Sequence, residues 1–242
     1  AGLMLYFIFP KKYRWIVVLS ESVIFYALYS KLLTFFILAT VLIIYLTGLW
    51  ISKLNDKFKI KKEGLEKEER KALKKKIGRQ KRWVATLGIF LNLGILVTLK
   101  YSGLFASAFE GFFSWFKWET HIPVLKLGLP LGISYYTLSA IGYTVDVARG
   151  KYDADKNVFR VALFVMYFPQ LLEGPFAFYD KLAPSLYEGA DFDEKRIASG
   201  FALVLWGFFK KVVIADRFAI IVSAVFKDYS SYSGVMILIG II

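Results

Sequence analysis

The chain has 242 residues, 57% of them hydrophobic and 18% aromatic, with a formal net charge of +13 and a mean hydropathy of +0.51. A soluble globular domain holds about 45–50% apolar residues, so this composition excludes one and points to helices in a bilayer. With no cysteine and a single histidine, His121, a disulfide framework, a thiolate metal site and a histidine-rich metal centre are excluded too, and no metal is expected.

Taken in order, the apolar run Gly2–Phe9 is about half the ~20 residues that a spanning helix needs. Trp15–Tyr29 is longer but holds Glu21, and is expected to span only with help from its neighbours. Leu32–Ile51 is uncharged throughout and is the strongest spanning signal in the chain. Trp83–Leu99 and Leu127–Val145 are long enough to cross with some tilt or local thinning. Val161–Phe168 is too short; it reads as a half-helix, a re-entrant segment or an interfacial helix. Ala198–Phe226 has the length to span but is interrupted by Lys210, Lys211, Asp216 and Arg217. The chain opens on Ala1 and closes inside an apolar run, Val235–Ile242. The expectation is one membrane domain over residues 1–242, part of a longer multi-pass protein.

Lys53–Arg82 differs in kind, with 14 Lys/Arg against 5 Asp/Glu, or +9 of the formal +13. A basic run can suggest nucleic acid, but here it joins two spanning segments. It therefore reads as a cytoplasmic loop obeying the positive-inside rule, with attraction to anionic headgroups, and no nucleic-acid partner is expected. Its composition favours an exposed, partly helical linker with pairs such as Glu66 and Arg70. The same rule places Lys11, Lys12, Arg14, Arg149 and Lys151 on the cytoplasmic side. Aromatic-rich Phe105–Trp118 then reads as an amphipathic helix at the outer interface.

Three phrases set polar groups inside apolar runs, where hydrocarbon penalises them by at least a few kcal/mol each. In Leu129–Gly150, Gly132, Tyr136, Ser139, Tyr143 and Asp146 recur at intervals of four and three and fall on one helical stripe. That stripe fits either the wall of a polar channel or ordinary hydrogen bonding between helices. In Tyr167–Pro175, Pro169 and Gly174-Pro175 break the helix around Gln170 and Glu173. Irregular backbone at membrane depth needs protein or water around it. In Gly207–Arg217, none of Lys210, Lys211, Asp216 and Arg217 has an opposite charge three or four residues away. Partners are therefore expected from elsewhere or from solvent. Lys210 and Arg217, two α-turns apart, could meet a phosphate-bearing donor or snorkel to headgroups. His121, in the polar stretch Glu119–Pro123, reads as a solvated loop histidine. No nucleophile elbow, phosphate loop or paired-carboxylate motif is present.

The wording LPLGISYYTLSAIGYTVDVARGKY, FPQLLEGPF and WGFFKKVVIADRFA, with the opening YFIFPKKYRWIVVLSESVIFYALYS, resembles the membrane-bound O-acyltransferases. Within them it is similar to the bacterial branch that includes alginate O-acetyltransferase. The resemblance implies an all-α, polytopic bundle of about a dozen membrane and re-entrant segments around a funnel. It implies acyl transfer, acetyl by default, from a cytoplasmic coenzyme A or carrier-protein thioester, with no bound cofactor. The acceptor would be an extracytoplasmic polysaccharide, and a partner acyltransferase of another fold is one known arrangement. The location implied is the bacterial cytoplasmic membrane. Tyr136, Ser139, Tyr143, Asp146, Gln170 and Glu173 would line the chamber, and Lys210, Lys211 and Arg217 would face the donor. The family's histidine belongs to the later half of the full protein and matches no position here. D-alanyl transfer to teichoic acid, and a non-catalytic transporter or scaffold, are the rival readings.

Overall fold

A computed structural model of the protein describes residues 2–29, 31–62, 66–115, 130–173, 177–227, 233–235 and 237, and not the side chains of 32, 102, 105–115, 172 and 173. Ten α-helices account for nearly all regular structure among them, with no strand, as an all-α chain requires. They are α1 (Gly2–Ile8), α2 (Arg14–Tyr29), α3 (Lys31–Lys61), α4 (Lys67–Trp115), α5 (Ile133–Arg149), α6 (Val158–Met166), α7 (Phe168–Glu173), α8 (Tyr179–Glu188), α9 (Glu194–Phe209) and α10 (Asp216–Lys227). A π-helical segment, Lys210–Ala215, joins the last two. Within the described residues, Leu33–Lys61, Lys67–Tyr101 and Glu194–Lys227 are long and apolar enough to cross a membrane.

The basic linker is almost wholly helical. Lys, Arg, Glu, Ala and Leu are strong helix formers, so α3 carries on to Lys61 and α4 starts again at Lys67. That continuity changes one expectation. The predicted interfacial helix Phe105–Trp118 is not a separate element: α4 runs unbroken through it to Trp115. Residues 116–118 lie outside the described set, as does His121. The span expected over Leu127–Val145 is described only from residue 130, and its helix starts at Ile133.

The chain divides into two compact units, residues 1–190 and 191–242. In the first, α3 and α4 lie side by side. Gly88 permits their close approach, since a Cβ there would lie 2.6 Å from the Thr47 hydroxyl; small residues serve helix contacts in lipid this way. Polar residues on α2, α4 and α5 bond back to their own backbone: Ser22 to the Val18 carbonyl at 2.8 Å, Asn92 to that of Gly88 at 2.9 Å, and Thr144 to that of Ala140 at 2.9 Å.

α5 and α6 form the centre. Tyr136, Ala140, Tyr143 and Val147 give α5 a buried face at helical spacing, while every residue from Val161 to Met166 in α6 is buried. Asn157 caps α6 by accepting from the Phe159 amide at 2.9 Å. The short run Val161–Phe168 falls in α6 and the start of α7, which run alongside α5. Its base is level with the C-terminal end of α5, where Asp155 meets Tyr143. Its tip reaches the N-terminal end of α5, where Leu171 abuts Gly132. The chain then returns to the base, where Tyr179 bonds Asp155. From Gly132 to Tyr143 is 11 residues of helix, about 16 Å at 1.5 Å per residue. The described parts of residues 158–179 therefore leave this level and come back to it, a hairpin about 16 Å deep beside α5.

Candidate functional site

At the hairpin tip two of the three phrases meet. Gly132 has φ 67°, the left-handed region, and a Cβ on it would collide with the Leu171 carbonyl. Glycine is needed there for both reasons. Helix α2 completes the contact: the Tyr26 hydroxyl donates to the Leu131 carbonyl at 3.1 Å, and the Phe168 amide approaches the Ser22 hydroxyl at 3.4 Å. Tyr136 lies here, 1% exposed. Its hydroxyl is out of solvent contact beside Tyr26, without a hydrogen bond of good geometry, as is that of Thr137. Gln170 is half-buried on α7, and Glu173 closes that helix with its side chain outside the described set.

At the hairpin base a denser polar network gathers around Asp155. One carboxylate oxygen accepts from the Tyr179 hydroxyl at 2.8 Å, and the other from the Asn157 amide at 2.8 Å. The Asp155 amide donates to the Tyr143 hydroxyl at 3.0 Å. The Tyr187 hydroxyl donates to the Arg160 carbonyl at 2.8 Å. The Arg160 guanidinium stacks over the rings of Tyr187 and Trp15, at 4.9 and 5.9 Å, a cation–π arrangement. The rings of Tyr143 and Tyr179 meet edge to face at 4.9 Å, with Tyr152 and Phe164 against them. Burial pushes the phenols of Tyr152, Tyr179 and Tyr187 well above the usual tyrosine value, so all three stay neutral.

Beside this network, Lys151 bridges Asp180 at 2.9 Å and Asp146 at 3.3 Å. The Asp180 contact foremost, then Asp146, raises the Lys151 amine, and Lys151 in turn holds the Asp180 carboxyl below its ordinary range. Above this triad opens a cavity of about 280 Å³, walled by Ser139, Gly142, Tyr143 and Asp146 from α5 and by Phe178 and Tyr179 from the returning limb. Of the predicted stripe, Ser139, Tyr143 and Asp146 therefore face one space, while Tyr136 packs in the core below it.

Lys210, Lys211 and Arg217 belong to the second unit and are exposed. The expectation that Lys211 and Asp216 find their partners elsewhere is overturned. Lys211 is paired with Asp216 in the same helix, five residues on. The segment is π-helical: the Asp216 amide donates to the Lys211 carbonyl, and i,i+5 bonding stacks residues that an α-helix keeps apart. The wider turn also takes Lys210 and Arg217 off the shared stripe that an α period gives them. Lys210 instead lies over the Trp206 ring at 5.5 Å. Asp155, Lys151, Tyr179, Asp180 and Tyr187 were not singled out from sequence. The signal available was the crowded turn Lys151-Tyr152-Asp153-Ala154-Asp155-Lys156-Asn157 between two apolar runs. No group of His, Cys, Asp or Glu among the described residues is arranged to hold a metal.

The chain is similar to named proteins along most of its length. It is 30% identical over 231 residues, 95% of its length, to the "Probable alginate O-acetylase AlgI" of Pseudomonas syringae pv. tomato, covering 40% of that protein. It is 30% identical over 216 residues, 89% of its length, to the protein of that name in Azotobacter vinelandii, covering 39% of it. The "Peptidoglycan O-acetyltransferase" of Helicobacter pylori is 29% identical over 165 residues, 57% of the chain and 30% of that protein. The chain thus spans about two fifths of the length of the first two relatives. No family profile matches it, and neither does any solved structure.

Proposed function

Because this chain belongs to the membrane-bound O-acyltransferases, in the alginate O-acetylase-like branch, we propose that it forms part of a membrane enzyme that O-acetylates a polysaccharide. The observation that carries the reading is similarity over nearly the entire chain to proteins named alginate O-acetylase, and over 57% of it to one named peptidoglycan O-acetyltransferase. The donor is a thioester of coenzyme A or a carrier protein on the cytoplasmic side, and the acceptor hydroxyl lies beyond the membrane. In the transfer, the acceptor oxygen forms the new ester bond, the thioester C–S bond breaks, and the acceptor proton passes to a base as the thiol leaves. That base is expected outside these 242 residues, since the only histidine here, His121, lies between segments.

On this reading the hairpin is a positioning element. On the same reading it is re-entrant and brings the ends of two short helices, α6 and α7, into the membrane surrounded by protein, the condition under which broken helices are tolerated there. The cavity at its base, bordered by Ser139 and Asp146, is open to a small acyl group. The neutral phenols around Asp155 fix its far wall without adding charge. Gln170 and Glu173 would shape the tip, and Lys210, Lys211 and Arg217 remain donor-side candidates.

The test is transfer by the full-length protein in proteoliposomes supplied with radiolabelled acetyl-coenzyme A, and separately with acetyl-carrier protein. Label in ester linkage on alginate or peptidoglycan outside the vesicle is expected. Transfer of D-alanine to teichoic acid with no acetyl transfer would overturn the acetyl reading. Polysaccharide transport without acylation would overturn the enzyme reading.

A further inference from the structure

The outward face of α4 carries a feature that acyl transfer does not use. Ile77, Ala85, Asn92 and Leu99 turn inward and are buried. On the other side Lys75, Lys76, Arg79 and Arg82 are exposed along one stripe, bordering a concave strip of about 790 Å³. Directly below them the same stripe becomes apolar: Trp83 is 71% exposed, Leu87 51% and Phe90 72%. Four cations stand within two helical turns above three bare hydrophobic side chains, and a tryptophan marks the change. Tryptophan favours the level of the lipid headgroups.

We infer that this strip is a binding site for a single anionic phospholipid of the leaflet on the Lys53–Arg82 side. Its phosphate-bearing headgroup is held by Lys75, Lys76, Arg79 and Arg82, and an acyl chain lies along Trp83, Leu87 and Phe90. Charge complementarity selects the headgroup, because basic clusters just outside a spanning segment attract anionic lipids and their field fades within a Debye length. The head-over-tail order selects a lipid over an acidic protein. An acidic protein would match the cations but leave the apolar half of the stripe without a role.

The experiment places the full-length protein in nanodiscs of phosphatidylcholine with a low mole fraction of brominated phosphatidylglycerol, or of brominated phosphatidylcholine at the same level. The signal is tryptophan fluorescence of the natural protein minus that of W83F, which isolates Trp83. Brominated phosphatidylglycerol is expected to quench that signal about ten-fold more effectively at low salt. The preference should vanish in K75Q/K76Q/R79Q/R82Q, and fall in the milder R79Q/R82Q if the first does not fold. It should persist in K53Q/K57Q/K59Q/K61Q, which removes the same charge from the α3 side of the linker. Equal quenching by the two lipids would overturn the inference, as would a preference that survives loss of the stripe. Displacement by millimolar inorganic phosphate, but not by salt-matched chloride, would assign the cations to a soluble phosphate and overturn it too.

Discussion

The hairpin of residues 158–179 and the helix of residues 194–227 both carry polar groups into apolar surroundings, and they do so by opposite means. The hairpin recruits partners from afar: Tyr179 is joined to Asp155, which also meets Tyr143, and the Phe168 amide approaches the Ser22 hydroxyl 146 residues away. The helix works within itself, pairing Lys211 with Asp216 through a π turn while most of its large apolar side chains, Val225 excepted, stay exposed. The hairpin's geometry is thus specified by many contacts that must all be present. The helix needs only its own register.

The comparison is sharpest at two glycines. G132A forces a side chain into a left-handed backbone and against the Leu171 carbonyl, and is expected to destabilise by about 3 kcal/mol or more. G207A, at a position with nothing within 4 Å, should cost nothing measurable. Thermal unfolding in detergent reads both, and equal effects would remove the distinction.

At the hairpin base, D155A strips the acceptor from both Tyr179 and Asn157 and should cost about 2–3 kcal/mol, with Y179F nearer 1 kcal/mol. D155N keeps an acceptor oxygen and should fall between them. A D155A protein as stable as the parent would show that aromatic packing alone holds the returning limb.

In the helix, K211M leaves Asp216 unpaired among apolar residues, with an expected loss of about 1–2 kcal/mol that K211M/D216M recovers. Deleting Val213 is the finer probe. It removes the extra residue of the π turn and brings Lys211 and Asp216 to an α-helical i,i+4 spacing, so the pair and the stability should survive. A collapse of folding would mean that the π turn has a role beyond pairing.

The smallest effect is that of pH on the Asp146–Lys151–Asp180 triad. Asp180 is lowered from 3.8, so its contribution is complete above that value and is lost as pH falls through the lowered one. Lys151 is raised from 10.5, so its contribution is complete below that value and is lost as pH rises through the raised one. Hydrogen exchange of the Gly150 and Lys151 amides should therefore show flat protection, after correction for intrinsic rates, from about pH 5 to pH 10. K151M should lower that protection. Protection in the parent that already changes near pH 7 would assign the local stability to some other group.

How much of this could be read from sequence follows from the range of each interaction. The uncharged run Leu32–Ile51 and the basic linker are local signals, and both appear where expected. The phrase LPLGISYYT announced a crowded turn, and the meeting of Gly132 with Leu171 accounts for it. The irregular backbone expected around Gln170 and Glu173 is instead the short helix α7, because Pro169 falls in its first turn, where proline is tolerated. The Lys211–Asp216 pair was hidden because an α period was assumed where the helix adopts a π turn. The Asp155 network was hidden because its partners lie 12 and 24 residues away, on elements whose adjacency depends on the hairpin itself. The continuity of α4 was masked by its change from charged to apolar residues, which marks a boundary of environment and not of helix.

The central claim is that residues 158–179 enter and leave on one side. These 242 residues contain no cysteine, so K156C and K181C, both at exposed positions, each place a thiol at one limb of the base. In sealed, oriented vesicles of the full-length protein, a membrane-impermeant maleimide is predicted to label both from the same face, the one that labels K71C in the basic linker. Labelling of K156C and K181C from opposite faces would make the segment a crossing and contradict the account.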